Sequence, residues 1–201
     1  MIFLININMN KNKKNIPNFI GQYQSEDYQL MKGIINFFEE NTDLQKKAIF
    51  GNHELDLTKK DALEITISPN QLTEVKFKYL KKYFEVLQEH FQDYLNTWPF
   101  LRSLNKFSSG SFHIQKYKKN GHYNSWHTER DSIMNSERVL VFMTYLNDLK
   151  KGGETEFLHY GLKINPKVGR TIIWPAEWTH AHKGLPVKEE KYIITGWLHF
   201  N

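Results

Sequence analysis

His127-Thr128-Glu129, then His180 and His182, then Lys191-Tyr192-Ile193-Ile194-Thr195-Gly196-Trp197 are the stretches on which the reading of this chain turns. Side chains at i and i+2 on a strand point to the same face, so His127 and Glu129 can close on one metal ion from a single strand end. A histidine from a distant strand would complete a set of two imidazoles and one carboxylate on one side of that metal, with the opposite positions open. In the last segment Lys191, Ile193, Thr195 and Trp197 share one strand face, which places a lysine on the same side as a tryptophan.

Around these residues the chain reads as short strands. Ser111 to Tyr117, Val139 to Leu146, Leu162 to Ile164, Arg170 to Trp174 and Tyr192 to Phe200 are β-rich runs separated by turn clusters such as Lys119-Asn120-Gly121 and Lys151-Gly152-Gly153. Several short strands at close spacing suggest a barrel or sandwich. The N-terminal half is different in character. Ser25 and Glu26-Asp27 mark a helix start, with Leu30, Ile34, Ile35 and Phe38 recurring at helical spacing to about Asn41. Leu63 to Ser68 alternates as a strand, and Leu80, Tyr83, Phe84, Leu87, Phe91 and Tyr94 predict one long amphipathic helix from Thr73 to about Leu95, with Pro99 just past its end. The first sixteen or so residues read as a strand or a loose arm. We expect one domain over 1–201, with 1–105 supporting a core at 106–201.

The chain has 201 residues, 40% hydrophobic and 14% aromatic, enough to bury a full core. Its net charge of +5 could suit an acidic partner, yet the lysines are scattered among acids, as in Lys188-Glu189-Glu190-Lys191, and no basic stripe emerges. Nucleic acid is not expected as a partner. No apolar run is long enough to span a bilayer. Met1 to Ile7 is too short for a signal-peptide core and there is no cysteine to pair, so the expected location is cytoplasmic.

A facial set of two histidines and a carboxylate suits Fe(II) and its oxygen chemistry. An iron site that works through a keto-acid cosubstrate also needs a cation for the far carboxylate, and a lysine facing a barrel interior is costly unless it meets an anion. Tyr117 lies ahead of His127, Tyr145 ends an apolar strand, and Gly152-Gly153-Glu154-Thr155-Glu156-Phe157 follows. Together these residues resemble the prolyl 4-hydroxylase branch of the 2-oxoglutarate- and Fe(II)-dependent dioxygenases, over about Phe107 to Phe200. The resemblance implies a mainly β fold with α: a double-stranded β-helix (jelly-roll, cupin-like) core supported by N-terminal helices. It implies His127 and Glu129 as metal ligands, Tyr117 and Tyr145 as phenols lining a 2-oxoglutarate pocket, Lys191 as partner of the C5 carboxylate and Thr195 as its assistant. Fe(II), 2-oxoglutarate, O2 and, as a further cofactor, ascorbate come with it, and hydroxylation of a prolyl C–H bond in a protein or peptide is the activity implied by default.

The distal ligand is His182 or His180, which stand two apart and would face the same side of a strand. The family's offsets to proline, the basic residue and tryptophan fall on Pro186, Lys191 and Trp197 when counted from His182, so His182 is favoured. Glu129 departs from the aspartate usual in this branch. Trp126 and Arg130 flank the motif and are candidates for substrate contact, while His113, His122, His159 and His199 have no spacing partner and read as structural or solvent-facing. Two other readings compete: a dioxygenase acting on a free amino acid, other small molecule or nucleic-acid base, and a non-catalytic cupin-like metal-binding barrel. Lys191 and the two tyrosines argue against the second, because a barrel that binds no keto acid needs none of them.

Overall fold

The computed structural model describes residues 17–49, 56–104 and 106–200; the arm expected over the first sixteen residues lies outside them. Alternation in the strands builds the architecture. In Leu63–Ile67 (β4) the residues Leu63, Ile65 and Ile67 face one way and Glu64 and Thr66 the other, and in Phe112–Tyr117 (β6) Phe112 and Ile114 oppose His113, Gln115 and Tyr117. Arg138–Tyr145 (β8), Arg170–Pro175 (β11) and Lys191–Phe200 (β13) alternate likewise, but with apolar side chains on both faces, so these strands are covered on both sides.

Gly21–Gln24 (β1), Lys46–Lys47 (β2) and Phe107–Ser109 (β5) complete the larger sheet, ordered β1-β11-β8-β13-β6-β4-β2, with β5 pairing β13. The smaller sheet is Leu162–Ile164 (β10), Thr155–Phe157 (β9), His182–Gly184 (β12), His122–His127 (β7) and Lys60–Asp61 (β3), in that order. Every pairing is antiparallel. One apolar core lies between the sheets, around Phe157, Trp174, Tyr145 and Ile193. The other lies between the outer face of the larger sheet and two helices, Tyr28–Glu40 (α1) and Lys78–Thr97 (α2). This is the jelly roll with helical support expected from the sequence.

α1 starts where the sequence indicates, since the Asp27 carboxylate accepts from the Leu30 N–H at 2.9 Å. The second helix starts later than expected. A 3-10 turn, Val75–Phe77, occupies its predicted first turn, and another, Pro69–Thr73, runs up to it, because Val75 is 87% exposed and the buried stripe begins only at Phe77 and Leu80. No helix among the described residues is long and apolar enough to cross a membrane.

Candidate active site

His127 is the last residue of β7 and His182 the first of β12, and the two strands pair so that these residues sit opposite one another. Their rings lie 4.3 Å apart between centroids. The expectation that His127 and Glu129 share one strand is corrected: β7 stops at His127 and Glu129 stands on the segment that follows. Thr128 and Arg130 fix that segment, through a hydroxyl bond (2.8 Å) and an amide bond (3.0 Å) donated to the Ala176 carbonyl. Glu129 Oε1 then lies 3.6 Å from His127 Nε2 and 3.4 Å from His182 Nε2. Ligand atoms of the three residues all fall within 4.8 Å of one another.

Both imidazoles have a fixed orientation. His127 Nδ1–H donates to the Ser125 carbonyl (2.9 Å) and His182 Nδ1–H to the His180 carbonyl (3.0 Å), which leaves each Nε2 facing Glu129. Tyr123 stacks on His127 at 3.7 Å, and Trp174 meets the His182 ring edge-on. Burial pushes the Glu129 carboxyl up, but hydrogen bonding and charge from His127 and His182 outweigh it and hold the group well below the usual carboxylate range. Burial, then the neighbouring His182, lowers His127. The site thus offers one carboxylate and two imidazole nitrogens, a set that fits Fe(II) in a facial arrangement.

These residues open on a cavity of about 460 Å³ between the sheets, whose wall includes Tyr117, Thr155, Lys191, Thr195 and Trp197. Lys191 is 2% exposed; its Nζ donates to the Gly153 carbonyl at 3.1 Å and sits 4.5 Å above the Tyr117 ring. That carbonyl is within reach because Gly152 and Gly153 both take positive φ, a turn that residues with a Cβ rarely make. Burial pushes Lys191 down to about 8, opposed by the charge of Glu154. A buried ammonium with a carbonyl and an aromatic face beside it is set to receive an anion. Trp174, also in the wall, keeps its Nε1–H buried without a partner, so the wall holds an unused donor as well.

The other sequence-predicted residues separate. Tyr117 lines the cavity and donates its hydroxyl to Gln115 Oε1 (2.8 Å); burial raises its phenol, which keeps the proton. Thr195 lines it too, its hydroxyl bonded to the Phe142 carbonyl. Tyr145 does not line it. Its hydroxyl donates to the Ile164 carbonyl and meets Thr155 Oγ1 at 2.6 Å, so Thr155 faces the space and Tyr145 stands behind. His180 does not share a strand face with His182, because it lies in a 3-10 turn with Nε2 2.8 Å from the Asn18 carbonyl. Trp126 lies under Lys183 and Arg130 pairs with Glu177; neither lines the cavity.

Several wall residues escaped the sequence reading. Lys60, Glu64 and Gln115 form a buried polar run, with Lys60 Nζ 3.5 Å and Gln115 Nε2 3.0 Å from Glu64 Oε2. His113, expected to be structural or solvent-facing, joins them in the wall beside Thr66 Oγ1 at 3.0 Å. The signal was present: Glu64, Thr66, His113 and Gln115 are the polar half of the alternation in β4 and β6, and two neighbouring strands with polar inner faces must line something wet. Nothing in the sequence marks Arg138, whose Nη1 donates to the Glu129 carbonyl at 2.9 Å.

Residues 112–199 match the sequence profile of the 2OG-Fe(II) oxygenase superfamily. Prolyl 4-hydroxylase 13 of Arabidopsis thaliana is 29% identical over 115 residues, 44% of this chain and 42% of that protein, so the chain spans under half the length of this relative. In fold it is similar to the viral collagen prolyl hydroxylase of Paramecium Bursaria Chlorella virus-1 (TM-score 0.65, 18% identity, 91% of this chain and 97% of that one). A Pseudomonas putida prolyl-4-hydroxylase is comparable (TM-score 0.68, 19% identity, 92% and 94%).

Proposed function

We infer, from the membership of residues 112–199 in the 2OG-Fe(II) oxygenase superfamily, prolyl 4-hydroxylase-like branch, that this protein hydroxylates a C–H bond at the expense of 2-oxoglutarate and O2. The observation that carries the reading is the pairing of two features in one cavity: the His127, Glu129 and His182 donor set, and the buried, anion-ready Lys191. A metal-binding barrel without cosubstrate has no use for the second.

His127, Glu129 and His182 would hold Fe(II), which when bound supplies the activation of O2 that couples decarboxylation of 2-oxoglutarate to hydroxylation. Lys191 would pair with the far carboxylate of the cosubstrate, with Thr195 assisting from the same strand face. The Tyr117 phenol, kept protonated by burial, is held by Gln115 as part of the same wall. Tyr145 supports the pocket through Thr155. The apolar residues between the sheets, Phe157 and Trp174 among them, keep the space beside His182 dry and limit side reactions.

A protein or peptide containing proline is the substrate class in this reading, supported by the prolyl 4-hydroxylase relatives. Ascorbate as a further cofactor, the single-domain organisation with the oxygenase core at 106–201, and a cytoplasmic location belong to the same reading. The test is succinate release from 2-oxoglutarate under air with Fe(II), with and without proline-containing peptides. Peptide-stimulated succinate and a product 16 Da heavier are expected. Succinate stimulated only by small molecules would move the substrate to the alternative class, and no turnover would leave a metal-binding barrel.

A further inference from the structure

We propose that Trp197 is the positioning residue for Glu129, holding one carboxylate oxygen so that the other alone is presented to the metal. The inference rests on the iron-site reading above and concerns the residue at which this chain departs from the usual aspartate.

Glutamate carries one more rotatable bond than aspartate and stands here beyond the end of a strand, so backbone pairing does not orient it. Left free, it can swing away from the histidines or offer both oxygens, which would close a position the reaction needs open. The geometry divides the two oxygens instead. Oε1 faces His127 Nε2 and His182 Nε2, while Oε2 accepts from Trp197 Nε1–H at 2.9 Å. An indole is a donor only, so Trp197 can hold an acceptor oxygen such as Oε2 and cannot itself bind the metal.

Trp197 is itself held in place. Its backbone pairs with Val141 of β8, the Arg138 guanidinium lies 3.6 Å over its ring, and His113 meets it edge-on at 5.4 Å. Arg138 Nη1 also lies 3.5 Å from Oε2 and donates to the Glu129 carbonyl, so backbone and side chain of the ligand are tied to the same pair of residues. An aspartate, one methylene shorter, would give up either the indole or the histidines.

The experiment measures Mn(II) affinity, by calorimetry and by the Mn(II) electron paramagnetic resonance spectrum, for the full chain and for Trp197→Phe, Glu129→Asp and the double variant. Loss of a partner that orients a ligand weakens metal binding roughly 10- to 100-fold, and Trp197→Phe should do so in the glutamate background with a changed spectrum. In the aspartate background it should cost less than about twofold, because the two changes act on one interaction. Where phenylalanine lowers the folded fraction, benzothienylalanine at 197 keeps the ring shape and replaces N–H by sulfur. Equal weakening in both backgrounds would make Trp197 a packing residue and overturn the proposal, as would no weakening in either. A wild-type chain that binds no Mn(II), or a His182→Ala variant that binds it normally, would instead overturn the iron-site reading itself.

Discussion

Lys191 joins the strand pattern to the proposed cosubstrate site. On the proposed function, replacing it by alanine would leave the far carboxylate of 2-oxoglutarate buried without its cation, which typically costs on the order of 3 to 5 kcal/mol. The apparent KM for 2-oxoglutarate in succinate-release assays should therefore rise roughly a hundredfold or more, with ~1.4 kcal/mol per tenfold. Mn(II) affinity without cosubstrate should stay as in wild type. The proton linkage has a definite sign. Burial holds Lys191 at about 8 in the empty site against an ordinary value of 10.5, so over that window the unfolded chain binds more protons and this group makes the folded empty protein more stable as pH rises. Cosubstrate binding runs the other way, because a carboxylate partner needs the ammonium. Calorimetric affinity for 2-oxoglutarate should be level below pH 8 and fall above it, and Lys191→Arg, always charged, should remove the fall. For the metal, His182→Ala should abolish Mn(II) binding while His180→Ala retains it, since the His180 side chain is turned to Asn18 and only its carbonyl serves His182.

Strand β13 shows how one element serves two environments. Lys191, Ile193, Thr195 and Trp197 face the cavity, while Tyr192, Ile194 and Leu198 join the core beneath the helices. Gly196 is on the helix side, where an added Cβ would come within 2.6 Å of Phe142 Cζ and 2.8 Å of Phe112 Cβ. Gly196→Ala should cost about 1–3 kcal/mol by overpacking, read as a lowered midpoint in denaturant. The long strands were legible because their alternation is sustained, and α1 because its cap is local. β1, β2, β3, β5, β9 and β12 were not, since runs of two to four residues show no period and exist only through their partners, although the equally short β10 was read at its observed bounds. The same limit applies to the site. His127 could be read from spacing along a strand, and His182 and Lys191 from the family's offsets, whereas the orientation of Glu129, the turn of His180 and the part played by Arg138 depend on chain crossings that spacing does not record.

In the whole molecule the larger sheet separates work from support. Leu80, fully buried, packs α2 onto the face away from the cavity, so Leu80→Ala should lose roughly 2–5 kcal/mol of stability without altering Mn(II) affinity of the folded fraction at low temperature. Conversely, on the proposed function Mn(II) and 2-oxoglutarate would bind only the assembled cavity, and each at a hundredfold excess over its Kd should add about 2.7 kcal/mol, seen as a rise in Tm that His182→Ala lacks. The bond from Arg138 to the Glu129 carbonyl has a bearing on retargeting. It ties the two ends of residues 130–137 together, with Arg130 N–H also fastened to Ala176, while Ile133 and Met134 at the tip are 92% and 87% exposed. Doubling such a loop costs only about 0.6 kcal/mol in closure, so this tip is a cassette position beside the cavity mouth: foreign recognition sequences spliced between Ile133 and Met134 should leave Glu129, the proposed iron ligand, moored.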